Sequence, residues 1–333
     1  MIVHPNEAGL AQALHALQQG QVIGLPTETV YGLAADAEQD AAVAQIYARK
    51  GRPRNHPLIV HVHDAQVAQH FAAELPDFAR VLMQAFWPGP LTLIVPRRAG
   101  VAEAAAAGHA TVGLRSPSHP VARRVLQLGL AAEPPVRGIA APSANRFGRV
   151  SPTRASHVQE ELGADLLVLD GGDCDVGIES TIVDCSRGRP VVLRPGHITA
   201  EQIAQATGLP VAGLEDEEQA ADVPQAPGTL TAHYAPQAKV RLMDAEAIQT
   251  ALHVLGAQGR DLAVYARTPV RSASPQVTVQ RMPATAQATA QELFRVLRDF
   301  DAQGVKLIWV ETPPPTAEWD GVRDRLARAA ASA

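Results

Sequence analysis

Apolar runs of strand length recur between residues 21 and 207: QVIGL (21–25), LIVHV (58–62), LTLIV (91–95), TVGLR (111–115), GIAA (138–141), LLVLD (166–170), STIVD (180–184) and PVVLR (190–194). Segments with apolar residues three or four apart lie among them, at 7–19, 40–50, 64–73, 76–86, 119–128, 154–162 and 199–206. Asn6 and Gly20 punctuate the first, Asp40 and Gly51 the second, and Val43, Ile46 and Tyr47 share one face. Many strands with helices between them bury their apolar faces as helices packed on a sheet. The expectation is an α/β domain over 1–208 with a large, twisted, mixed sheet.

Residues 209–237 contain an acidic run, several Pro and Gly, and no sustained periodicity, so they read as a linker. Structureless stretches of this length are usually disordered or functional. Beyond them KVRLM, a helix at 245–256, DLAVYA, QVTVQRM, a helix at 286–302, KLIWVE and a helix at 317–331 alternate. That pattern predicts a small Rossmann-like α/β domain over 238–333.

Hydrophobic residues are 46% and charged residues 19% of the chain, a globular balance, and the net charge is -5. A chain of that sign has no global attraction for nucleic acid or anionic lipid, so any anion must be held locally. Cys174 and Cys185 form no CxxC pair, which suggests neither a zinc site nor a disulfide framework. The start MIVHPNEAGL lacks a basic region followed by an apolar one, and the expectation is a cytoplasmic protein without membrane spans. GxxxxGK[ST], a strand-borne GxGxxG and HExxH are absent, and the glycines at 171–172 read as a turn.

The local charge is in ARKGRPRNHPLIVHV, residues 48–62, where Arg49, Lys50, Arg52 and Arg54 crowd a helix end. Read alone, the cluster fits a solvated terminus or an anion site. Gly51 lets the chain turn so that Lys50 and Arg52 can aim at one polyphosphate. APSANRFGRVSPT, 141–153, places Ser143, Asn145, Arg149, Ser151 and Thr153 after an apolar strand, where ligands of α/β sheets bind, or forms a plain turn-rich connection. Arg115 and Arg194 each end an apolar strand, as an exit to water or as partners of a shared anion. PTETVYGLAAD, 26–36, reads as a polar loop clustering Thr27, Glu28, Thr29 and Tyr31, lining a pocket or capping backbone groups. His61 and His63 alternate with valines, so both are expected on one strand face.

Taken in order, PTETVYGL, KGRP with NHPLIVH, TVGLRSP, APSANRFGRVSPT, ESTIVD, LRPG and APGTLTAHYAP resemble the threonylcarbamoyl-AMP synthase family, the YrdC-like proteins, in its long form with a C-terminal domain. The resemblance covers residues 20–237. It implies synthesis of L-threonylcarbamoyladenylate and pyrophosphate from L-threonine, bicarbonate or CO2, and ATP, which is expected to carry Mg2+. The product would pass to the machinery that threonylcarbamoylates tRNA beside the anticodon, so direct tRNA binding is not required.

By position, the resemblance implies catalytic roles for Lys50 and Arg52. It implies nucleotide contacts by these two with His56, Thr111, Ser143, Asn145, Ser151, Arg194 and Tyr234, and threonine contacts by Thr29, His61, Arg115, Ala141 and Ser180. With Tyr234 in the linker, 209–237 would act as a lid over the first domain. No dedicated metal ligands are expected. Two other readings remain at this point: a carbamoyl-phosphate-dependent carbamoyladenylate former, and a double-stranded RNA-binding or ribosome-associated module using the cations at 49–54.

Overall fold

A computed structural model of the chain describes residues 1–213 and 224–332. The described residues fall into two compact units, Met1–Phe147 with Ser151–Thr229, and Gly148–Val150 with Leu230–Ala333. Of the expected linker and lid, residues 214–223 lie outside the described residues.

In the first unit the strands form one mixed eleven-stranded sheet. Its order is Ile2–Val3, Val168–Leu169, Ile23–Leu25, Gly32–Asp36, Ile139–Ala140, Ile59–His61, Thr111–Arg115, Leu91–Pro96, Thr181–Asp184, Val191–Arg194 and Ala212–Gly213. Ile59–His61 runs parallel to Thr111–Arg115 and antiparallel to Ile139–Ala140, with His61 directly opposite Arg115. That register brings a histidine and an arginine side by side at the strand ends.

Strand periodicity of two sends alternate residues to opposite faces, and each face has its own core. Leu33 and Ala35 pack with Val60, Leu93 and Leu114 on one side. Ala34 joins Leu17, Leu25, Val125 and Ile139 on the other. The helix Glu7–Gln18 supplies part of that second layer and is capped by Asn6, whose side chain accepts from Gly9 N at 2.9 Å. Helices on both faces leave strand ends as the place for polar chemistry.

Two local expectations need correction. The stretch 26–36 is only partly a loop, because Gly32–Asp36 is a strand antiparallel to Ile23–Leu25. All five of its residues are buried, so no apolar-polar alternation marks it in the sequence. His61 and His63 do not share a strand face, since the strand ends at His61 and His63 Nδ1 meets Asp64, 2.9 Å away at the start of the next helix. The second helix opens at Asp40, as read, with Gln39 before it as the N-cap residue.

The second unit has a wholly parallel four-stranded sheet, ordered Lys239–Met243, Leu307–Glu311, Leu262–Ala266 and Thr278–Arg281. The helices Ala245–Leu255, Ala286–Ala302 and Asp320–Ala330 accompany it. No helix among the described residues is long and apolar enough to cross a membrane.

Candidate active site

The helix Asp40–Lys50 stops because Gly51 adopts the left-handed conformation, at φ 63°. This turn separates the fates of the four cations. Arg49 is exposed and pairs with Asp165 at 2.9 Å, and Arg54 is exposed. Lys50 and Arg52 are buried.

Lys50 donates from Nζ to the carbonyl oxygens of Ser143 and Asn145 at 2.6 and 2.5 Å. Phe147 N donates back to Lys50 O at 2.8 Å, so the helix end and the 143–147 loop are zipped together. Burial, followed by the charge of Arg52, lowers the Lys50 pKa to about 7, with Glu161 and Glu179 pulling the other way. Arg52 donates from Nε to His56 O at 3.3 Å and from Nη2 to Pro57 O at 3.0 Å. Its guanidinium lies 5.6 Å from the ring centre of Phe147, against which His56 stands edge-on at 5.5 Å. Burial and the charge of Arg52 also push the His56 pKa down, which favours neutral imidazole. Ser151 donates to Glu179 Oε1 at 2.5 Å, and both are buried.

A second cluster forms where His61 and Arg115 end adjacent strands. Arg115 lies 2.7 Å from Glu28 Oε1, with both side chains about 5% exposed or less. It also donates from Nη1 to Thr29 Oγ1 at 2.8 Å and from Nε to Gly89 O at 3.3 Å. Burial, then the neighbouring Arg115, drives the His61 pKa down to about 3, so this imidazole is neutral at physiological pH. Its buried Nδ1 has no hydrogen-bond partner among the described residues. Burial raises the Glu28 pKa, but the charge of Arg115, 2.7 Å away, and nearby backbone N–H groups outweigh it, leaving a carboxylate below its usual range.

Ser180 Oγ is 2.8 Å from Thr92 Oγ1 and accepts from Arg194 Nη2 at 3.2 Å. Arg194 also donates to Ser180 O and, from Nη1, to Pro227 O at 2.8 Å. Thr111 begins its strand beside a recess lined also by Pro57, Thr92, Gly113 and Ile182. Ala141 N donates to Ile59 O at 3.1 Å, and Ser143 bridges to Gly32, so the loop that holds Lys50 also lies along the strands Ile59–His61 and Gly32–Asp36. Tyr234 belongs to the second unit, where its buried ring stacks on Phe294 at 5.5 Å under the Arg325 guanidinium at 5.3 Å.

This arrangement offers buried cations beside a neutral histidine and hydroxyls, the equipment for aligning anions rather than for supplying a nucleophile. A family model covering Sua5, YciO and YrdC, described as "Telomere recombination", matches residues 15–196. A second, "Threonylcarbamoyl-AMP synthase, C-terminal domain", matches residues 198–331.

The chain belongs to the threonylcarbamoyl-AMP synthase family.

Among family members, the chain is 38% identical to a Bacillus subtilis threonylcarbamoyl-AMP synthase, an alignment covering 98% of this chain and 94% of that one. It is 34% identical to a Pyrococcus abyssi synthase over 94% of this chain and 91% of that one. A structure of P. abyssi Sua5 complexed with L-threonine matches with a TM-score of 0.88 and 32% identity, covering 100% of this chain and 98% of that one. A double-alanine variant of the same protein matches at a TM-score of 0.89 and 31% identity, over 100% and 96%.

For a synthase of this family, the sequence reading passed over Glu179 and Phe147, and named Glu28 in the 26–36 cluster without giving it a partner. Glu28 and Glu179 each sit inside a quoted motif, as an acid in a polar stretch next to apolar segments. That was the available signal, but their partners are far away in sequence. Phe147, whose ring lies beside the Arg52 guanidinium, had no signal beyond its place in the 141–153 loop.

Proposed function

We propose that the chain is an L-threonylcarbamoyladenylate synthase that makes threonylcarbamoyl-AMP and pyrophosphate from L-threonine, bicarbonate or CO2, and ATP. The single observation that carries this reading is the buried Arg115, with N–H donors left for a carboxylate, in a chain that superposes along its length on a relative complexed with L-threonine. The threonine amine joins CO2 through a new N–C bond and loses a proton, giving a carbamate. A carbamate oxygen then attacks the α-phosphorus, the bond to the β-phosphate oxygen breaks, and pyrophosphate leaves. Both partners are anions, so charge neutralisation and in-line alignment are the main requirements.

Lys50 and Arg52 are suited to stabilising the charge that moves onto pyrophosphate. His56, Thr111, Ser143, Asn145, Ser151, Arg194 and Tyr234 are the proposed remaining nucleotide contacts, and the lid role of 209–237 belongs to the same proposal. Arg115 would fork the threonine carboxylate, with Thr29, neutral His61, Ser180 and the backbone at Ala141 completing the pocket. Mg2+ would arrive on the ATP phosphates; among the described residues no group of three His, Cys, Asp or Glu side chains could hold a metal by itself. The product would serve tRNA threonylcarbamoylation in the cytoplasm through separate transfer proteins, and the domain division is proposed as 1–208, 209–237 and 238–333.

The test is pyrophosphate release from ATP, with threonine, bicarbonate and Mg2+ omitted in turn. Release is expected to require each. Turnover that runs on carbamoyl phosphate and ignores threonine would overturn the reading.

A further inference from the structure

We propose that Glu28 is a positioning residue for L-threonine: it anchors the Arg115 guanidinium and balances its charge, so that guanidinium donors bonded to no protein acceptor stay available for the substrate carboxylate. The inference rests on the reading of the chain as a threonine-using synthase.

Arg115 carries five N–H donors on a rigid plane. Nε goes to Gly89 O, one Nη1 donor to Thr29 Oγ1, and Nη2 lies against Glu28 Oε1 at 2.7 Å. The second Nη1 donor and the Nη2 donors complete no hydrogen bond among the described residues, which leaves the pair that a bidentate carboxylate takes. The Glu28 contact has the distance of an ion pair without the angle of a good hydrogen bond, since neither Glu28 oxygen nor Arg115 Nη2 completes one. Charge rather than hydrogen-bond geometry therefore supplies the attraction.

Among the described residues, Glu28 is the one acid within ion-pair distance of Arg115, so the charge balance rests on it. Both side chains are about 95% buried, His61 alongside is neutral, and Thr29 is uncharged. An unpaired guanidinium at that depth would draw water or rotate toward another acceptor before substrate arrived.

The anchor is itself held. Thr27 Oγ1 accepts from the backbone N–H groups of Thr29 and Val30 at 3.2 Å each and donates to Val30 O at 2.6 Å. Val176 N donates to Glu28 O at 2.7 Å. A closed turn thus presents Glu28 to the end of a strand 87 positions later, the difference between residues 115 and 28. Glu28 is a poor proton acceptor for the threonine amine, because its environment keeps it ionised below the usual carboxylate range.

The experiment measures binding of L-threonine and of ATP to the full chain by calorimetry, for the wild type, Glu28→Gln and Glu28→Asp, with pyrophosphate release alongside. Glu28→Gln is expected to weaken threonine at least about tenfold and leave ATP within about twofold, while Glu28→Asp recovers part of the loss. Equal weakening of both ligands, or unchanged threonine affinity, would overturn the proposal. If Glu28→Gln does not fold by circular dichroism, Glu28→Asp decides: weakened threonine with unchanged ATP supports the proposal, and wild-type threonine affinity overturns it. A wild type that needs threonine for turnover while Glu28→Gln binds it normally sinks this inference alone. A wild type that ignores threonine sinks the functional reading first.

Discussion

The side-chain nitrogen of Lys50 lies 2.6 Å from the carbonyl oxygen of Ser143, so a cation delivered by a helix end is held by the loop that follows another strand. Lys50→Met keeps the apolar stem and removes the donor. Pyrophosphate release should fall at least about 100-fold, the scale of losing one charge-stabilising group. Stability should change little, because relief of lysine burial offsets carbonyls left unpaired. Steady-state assay with a melting curve checks both, and retention of more than about a tenth of wild-type activity would contradict the assignment.

Nucleotide binding should take up a proton. Free Lys50 titrates at about 7, and a polyphosphate beside it raises that value. From pH 7 upward, ATP affinity should therefore fall by up to about tenfold per pH unit until the bound-state pKa is passed. The sign for folding follows from the same shift: between about 7 and the ordinary 10.5 the unfolded chain binds a proton that the folded one does not, so Lys50's contribution to stability rises with pH. Calorimetry in buffers of different ionisation enthalpy should show the uptake, and Lys50→Met should abolish it.

Arg115→Lys replaces a planar fork with a point charge. The KM for threonine should rise about 10- to 100-fold, while the KM for ATP stays within about twofold. Initial rates against each substrate separate the two. A larger effect on ATP would move Arg115 to the nucleotide side.

Threonine analogues should divide by chemistry. Valine removes the hydroxyl and would leave buried polar partners unsatisfied, whereas serine lacks only a methyl. Serine should lose about 10- to 200-fold in kcat/KM, and valine about 10^4-fold or more. Comparable use of valine and serine would mean that no protein group reads the hydroxyl.

Gly51→Ala tests the turn between Lys50 and Arg52. An added Cβ meets no atom within 4 Å, so the cost is conformational alone, about 1 kcal/mol at φ 63°. Denaturant melting should show that loss. A neutral result would mean the helix end relaxes to another cap.

Much of the fold was legible because its signals are local. TVGLR and KVRLM are strands over the same residues, and 286–302 is a helix as read. The strand Gly32–Asp36 was missed because small residues buried on both faces carry no alternation, and Ile2–Val3 and Ala212–Gly213 are too short to show any. Of the candidate site, Arg115 was visible as a charge closing an apolar run. Its pairing with Glu28 was not, since nothing in the spacing of the two residues says that they meet.

By itself, the sequence determined element types, the glycine that ends the cationic helix, and the residue chemistries available to bind anions. Those depend on backbone propensity and on neighbours within a few positions. Tertiary structure alone decided that Lys50 and Arg52 are buried while Arg49 and Arg54 are exposed, and that His61 is neutral beside an Arg115 paired with Glu28. Burial and pairing follow from sheet order and register, which bring distant segments together and set how much water each charge keeps.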